Sequence, residues 1–287
     1  HHLLVEPGVS SSWKIFNTSY AMYLAVLGSM IHGMTVPGAI EAAQRAKGFN
    51  KGLFEWLRKA PWGNPAFSGM FMSLVMFGFL GGISGVVMGT EQINLIMHNT
   101  LYVPGHFHAT VVAGTTLAFM AMTYLVVPLI FRRHVMFPTV AKLQPYIFAI
   151  GIAGISLFMM GAGTLGVPRR HWDITFADAL TTFQFSPAAF LMLALNGISA
   201  VMAAVGGAMY ILVVVWSVFF GRRIGDTEKV QLGPATGSQA AAAVASYGNE
   251  GTLKIPGTVV LVGVFFVSFI LYYYVNWKYV AELWPLK

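Results

Sequence analysis

Six stretches of the chain lack Asp, Glu, Lys or Arg in their interior: 15–40, 65–90, 92–131, 143–168, 179–221 and 255–277. Each exceeds the ~20 helical residues that cross a hydrocarbon core of ~30 Å. Backbone groups in lipid must be satisfied within the segment, and no stretch alternates apolar with polar residues, so the pattern predicts helices. The expected fold is all-α: a polytopic transmembrane bundle of six helices in one membrane domain, 1–287. Between the last two stretches, 225–251 is rich in Ala, Gly and Ser and poor in large apolar groups. It reads as a partly flexible connection with a short helix near 239–245.

Composition sharpens this picture. The chain has 287 residues, 56% of them hydrophobic and only 9% charged, whereas a typical soluble domain is about 25% charged. So few charges cannot cover a soluble surface, and membrane lipid is the expected solvent. A net charge of +7 would otherwise suggest nucleic acid, but the positives lie between apolar runs and no nucleic-acid partner is expected. Their distribution gives orientation instead. If the first helix runs inward, the cytoplasmic connections carry Arg45, Lys47, Lys51, Arg58, Lys59, Arg132, Arg133, Lys142, Arg222, Arg223, Lys229 and Lys254. That is twelve of the seventeen Lys and Arg, leaving Lys14, Arg169, Arg170, Lys278 and Lys287 outside, as the positive-inside bias requires. The absence of cysteine removes thiolate metal sites and cysteine nucleophiles.

Candidate chemistry concentrates in the third stretch, at His98, Asn99 and Thr100 and then Val103-Pro104-Gly105-His106-Phe107-His108. Residues two apart on a helix point about 200° away from each other. His106 and His108 therefore cannot grip one metal together, but each can hold a separate cofactor on its own side of the helix. Imidazole is the common axial ligand of heme iron, so the spacing suggests two hemes. A hydrogen-bonded interior histidine is the other reading of each ring. If the third helix starts outside, His106 lies about 9–12 Å below its outer end, and Arg169 and Arg170 share that side. Paired guanidiniums there suit carboxylates such as heme propionates, or equally lipid phosphates. On the first helix, Ser29, His32 and Thr35 lie on a broad common face toward the inner end, suited to a proton path or to helix–helix hydrogen bonds.

These motifs resemble the catalytic subunit of the heme-copper oxygen reductases, and most of all its B-type branch. His98-Asn99-Thr100 with Val103 through His108 is similar to the tenth helix of that subunit. His1-His2-Leu3-Leu4, Glu6-Pro7-Gly8 and Trp13-Lys14 are similar to the segment entering the eighth, although His1-His2 alone is also what a purification tag leaves. Ala60-Pro61-Trp62-Gly63-Asn64-Pro65 and Val167-Pro168-Arg169-Arg170 match further segments in the same order. The resemblance implies that the chain is the C-terminal half of subunit I. His1 and His2 would ligate copper B and His106 the high-spin heme iron, which together form the catalytic centre; His108 would ligate the low-spin heme iron. His98, Arg169 and Arg170 would meet the heme propionates, and Ser29, His32 and Thr35 would serve proton uptake. The implied cofactors are copper B and two hemes, the low-spin one b-type or a-type and the high-spin one a-type or o-type.

By the same resemblance the activity is reduction of O2 to water coupled to proton translocation, in the inner (cytoplasmic) membrane of a prokaryote. The implied partners are an N-terminal part of subunit I, a subunit II-like protein, and cytochrome c or another small electron donor. The N-terminal part would supply a third copper ligand and the second low-spin ligand. The remaining histidines, His32, His134 and His171, lie at the wrong depths for those roles. The sequence departs from many relatives at Asn94 and Asn99, where they carry an acid. Two other functions share parts of the pattern: nitric oxide reduction, and electron carriage by heme b without catalysis.

Overall fold

A computed structural model describes residues 8–170, 184–225, 227–228, 230 and 254–283. His1, His2, His171 and most of the 225–251 connection, with its expected short helix, lie outside the described residues. What is described is helical, with two isolated antiparallel β-bridges and no strand. Helix α1 runs as Ser11–Phe16, a π segment Asn17–Ala21, and Met22–Ala46. The short α2 is Glu55–Arg58, and α3 is Pro65–Gly89. A second short helix, α4, is Glu91–Met97. It is followed by α5, Tyr102–Ile130, α6, Pro138–Thr164, α7, Pro187–Phe220, and α8, Pro256–Leu283.

Each expected apolar stretch corresponds to one of the long helices, and four of these (α3, α5, α6 and α7) are both long and apolar enough to cross a membrane. In α8 the apolar part is shorter, Pro256–Tyr272. The third stretch departs from expectation. It is not one helix from residue 92: α4 ends at His98, the chain turns through Asn99 in the left-handed region (φ 59°), and α5 starts afresh at Tyr102. Asn tolerates that conformation better than most residues do. His106 therefore sits four residues into its helix, ~6 Å below the end at 1.5 Å per residue, rather than 9–12 Å. His98 belongs to the preceding turn, not to the helix of His106.

Small residues set the packing. A Cβ on Gly151 of α6 would stand 2.4 Å from the Ala203 nitrogen of α7, and one on Gly206 would stand 2.6 Å from the Phe148 nitrogen. In lipid no hydrophobic gain draws helices together, so such close backbone approach supplies the contact instead. Phe148, Ala149, Ile152 and Ile155 of α6 meet Ala113 and Leu117 of α5 and Ala203 of α7 in one buried cluster. The outward faces remain apolar, with Leu24, Phe119, Ile198 and Phe219 each more than half exposed. That surface suits lipid or further protein, and the chain is an integral membrane protein.

Successive long helices alternate in direction, which gathers the basic connections at one end. There Gln44 Nε2 donates to Lys59 O, Tyr146 Oη donates to Trp62 O, and Arg133 bridges Arg223. The opposite end carries the turn 98–101 and the loop 165–170.

Candidate cofactor site

The site is built on the first turns of α5. Tyr102, Gly105 and the residues below them lie on α6: a Cβ on Gly105 would stand 2.9 Å from Ser156 O, and one on Gly163 would collide with the Tyr102 backbone. A different face meets α3. There His106 lies against Gly85, Thr110 against Gly81, and Gly114 against Phe77, while Ser73 Oγ donates to Gly114 O at 2.8 Å. These α5 residues are four apart and so share one face of the helix; two of them lie in the nine-residue π segment His108–Thr116, which packs against the π segment Phe77–Gly82 of α3. Segments of this kind recur at functional sites, and the apolar pattern gave no sign of them.

His106 is buried at 9% exposure, and its Nδ1 lies 2.9 Å from Ser84 Oγ of α3. His108 is half-buried, with Nδ1 2.7 Å from Pro104 O. Its neighbours along the helix, Phe107 and Val111, are 54% and 39% exposed. The two rings thus differ in surroundings as the spacing requires: His106 turns to α3, and His108 lies on the outward-facing side. Each has Nδ1 tied to a protein group. A metal-ligating imidazole commonly has one ring nitrogen held in this way while the other binds the metal. The donor set fits two axial heme ligands.

The arginine loop is fastened directly above them. Thr100 bridges Pro168, Leu101 N donates to Val167 O at 2.9 Å, and Arg169 N donates to Asn99 O at 2.8 Å. The Arg169 side chain also donates from Nε and Nη2 to Asn99 Oδ1, at 3.1 and 2.8 Å. One edge of the guanidinium is thereby held by a neutral amide, and its positive charge is not cancelled. Desolvation, and then the neighbouring Arg170 charge, lower the Arg169 pKa from its usual value. Arg170 follows in a left-handed conformation, φ 63°. His98, half-buried, is the residue before Asn99. The structure therefore brings His98, Arg169, Arg170, His106 and His108 to one end of the bundle.

Other expected residues fall elsewhere. Ser29, His32 and Thr35 each bond to a carbonyl of their own helix, at Ala25, Gly28 and Ile31; His32 and Thr35 are exposed and Ser29 is half-buried. His134 sits at the far end, 2.6 Å from Arg222 Nη2. Asn94 is buried, donates to Met88 O at 2.8 Å, and its Oδ1 has no partner among the described residues. Two residues escaped the sequence reading. Ser84 is one of several hydroxyls inside an apolar stretch, and Glu41 is fully buried although it lies at the edge of a basic connection. Ser84 carries no motif; the Glu41–Arg45 pair has the i,i+4 spacing of a helical ion pair, but nothing near Glu41 in sequence marks its partners Gly257 and Thr258.

Comparison with known proteins bears on the family and the fold. Residues 1–201 match the family profile described as cytochrome c and quinol oxidase polypeptide I. A cytochrome c oxidase subunit 1 of Thermus thermophilus is 33% identical over 183 residues, covering 62% of this chain and 32% of its own length. A second subunit 1 sequence from Thermus thermophilus is 40% identical over 73 residues, 25% of this chain and 66% of its own length. A probable quinol oxidase subunit 1 of Staphylococcus aureus is 29% identical over 170 residues, 58% of this chain and 24% of its own. A heme-copper terminal oxidase solved as a dimer by cryo-electron microscopy superposes with a TM-score of 0.71 at 26% identity, covering 93% of this chain and 46% of that one. The chain thus spans about a third of the Thermus relative it matches over the longer stretch, and under half of the solved oxidase chain.

Proposed function

The chain belongs to the cytochrome c and quinol oxidase polypeptide I family, and from that membership we propose that it is the C-terminal half of the catalytic subunit of a B-type terminal oxidase. The proposed reaction is reduction of O2 to water with proton translocation, in the cytoplasmic membrane of a prokaryote. The observation that carries the reading is the pair His106 and His108. Each is held through Nδ1, on different sides of one helix, beneath an arginine loop fastened to the start of that helix.

In this reading His106 ligates a high-spin a-type or o-type heme and His108 a low-spin b-type or a-type heme, while His1 and His2 hold copper B. Bound there, these groups supply the electron transfer and the binding and reduction of O2. The work of the protein is placement. The bonded Nδ1 atoms orient both rings, and Arg169 and Arg170, with His98, receive propionates at the outer end. Ser29, His32 and Thr35 face the side where an N-terminal part of subunit I would pack, and they carry protons inward from the basic end. Asn94 and Asn99 cannot ionise, so neither stores a proton. The remaining ligands come from that N-terminal part, and electrons arrive from a subunit II-like partner and a cytochrome c-like donor.

Metal and heme analysis of the intact complex tests the proposal, together with the carbon monoxide difference spectrum of its reduced form. The expected result is two hemes and one copper, with one heme reacting with carbon monoxide. Non-heme iron in place of copper would instead assign a nitric oxide reductase. Absence of a carbon monoxide-reactive heme would leave only an electron carrier.

A further inference from the structure

Building on the reading that His106 ligates the high-spin heme, we infer that Ser84 is the positioning residue of that ligand: its hydroxyl accepts from Nδ1–H of His106 and so fixes both the tautomer of the ring and the electron donation of its other nitrogen.

Ser84 lies on α3, 22 residues before His106 in sequence, and is 1% exposed. A serine hydroxyl has one proton and two acceptor lone pairs. Here the proton has two carbonyls of its own helix to point at, Gly81 O at 3.1 Å and Leu80 O closer still. Such bonds to the preceding turn are the usual engagement of a helical serine. Both carbonyls belong to the π segment Phe77–Gly82, where bonding runs i→i+5 rather than i→i+4. With its proton committed there, Oγ can meet the ring nitrogen at 2.9 Å only as an acceptor. The ring must then carry its proton on Nδ1 and offer Nε2 as the ligand atom. The opposite tautomer would require the hydroxyl to abandon both helix carbonyls.

Packing on α3 bears on the ring as well. A Cβ on Gly85 would stand 2.9 Å from Cε1 of His106 and 3.6 Å from Nε2. The imidazole edge therefore lies close against the α3 backbone at Gly85. Donation from Nδ1–H shifts electron density toward Nε2, which strengthens the bond to iron and favours the oxidised metal. The acceptor is a neutral hydroxyl, so the effect is smaller than a carboxylate would give.

The test uses the intact oxidase complex, with two readouts on the reduced high-spin heme: the iron–histidine stretch by resonance Raman, and the midpoint potential by redox titration. In Ser84→Ala the stretch should fall in frequency. The reduction equilibrium should move about three- to tenfold toward the reduced form, as loss of one hydrogen bond allows, or upward by ~30–60 mV for one electron. Ser84→Thr keeps the oxygen and should restore both values. If Ser84→Ala does not assemble, Ser84→Cys, with its weak sulfur acceptor, should show a smaller shift in the same direction. Wild-type values in Ser84→Ala, or in Ser84→Cys where the alanine variant cannot be made, overturn the inference. His106→Ala separates the two levels. If the stretch survives in His106→Ala, the ligand reading itself falls; if it disappears there while the Ser84 variants leave it unmoved, only the role of Ser84 falls.

Discussion

Glu41→Ala should release the last helix from the bundle. Glu41 is fully buried near the end of α1; its Oε1 accepts from Arg45 Nε at 2.7 Å and from Gly257 N at 3.0 Å, and its Oε2 accepts from Thr258 N at 2.6 Å. Gly257 and Thr258 form the first turn of α8, where backbone N–H groups have no partner within the helix and the dipole favours an anion. The alanine variant would strand a guanidinium that is 7% exposed and two N–H donors. Removing one partner of a buried ion pair costs ~3–5 kcal/mol, and each orphaned donor adds up to ~1–3 kcal/mol. These terms do not add fully, because Arg45 keeps Gly52 O at 3.0 Å. A loss of ~4 kcal/mol, on the order of a thousandfold in the docking equilibrium of α8, is the working value. Glu41→Gln keeps one acceptor and should lose about half as much. Pulse proteolysis of the intact complex across a detergent-denaturant series, following the fragment that contains α8, reads the effect. An alanine variant within ~0.5 kcal/mol of wild type would refute the clamp.

Asn99→Asp should place a carboxylate against Arg169 and cancel the charge offered to a propionate, lowering the midpoint potential of the adjacent heme; an unchanged redox titration would contradict that role for the Asn99–Arg169 pair. Asn99→Ala removes both side-chain bonds to Arg169 and should loosen the loop, seen as faster amide exchange at residues 165–170. Lys51→Cys should react with a membrane-impermeant maleimide only from the cytoplasmic face, and labelling from the outer face would reverse the assigned orientation.

The long helices were legible because charge is so costly in lipid that its spacing nearly outlines them. The break between α4 and α5 was not, since His98, Asn99 and Thr100 carry no charge and the turn rests on the left-handed backbone of Asn99. The placement of the candidate residues was legible as far as residue type and spacing reach. His106 and His108 stand on different sides of α5, and the arginine loop meets the first turn of that helix, as the loop order required. His108 bonds within its own helix, but the partners of His106 and Arg169 lie far off in sequence: Ser84 is 22 residues from His106, and Asn99 is 70 from Arg169. Such pairs depend on helix packing, which here follows Gly–backbone contacts that carry no hydrophobic period. Ser29, His32 and Thr35 show the reverse. Their common face was readable, but each bonds to a carbonyl of its own helix.

The central claim is that α5 carries two separate heme ligands, and it is tested most directly by optical spectra of His106→Ala and His108→Ala in the intact complex, with and without carbon monoxide. His108→Ala should lose the low-spin heme signal and keep a carbon monoxide-reactive heme, whereas His106→Ala should lose the carbon monoxide response and keep the low-spin signal. Retention of both heme signals in both variants, or loss from both of one shared metal with the hemes untouched, would contradict the account.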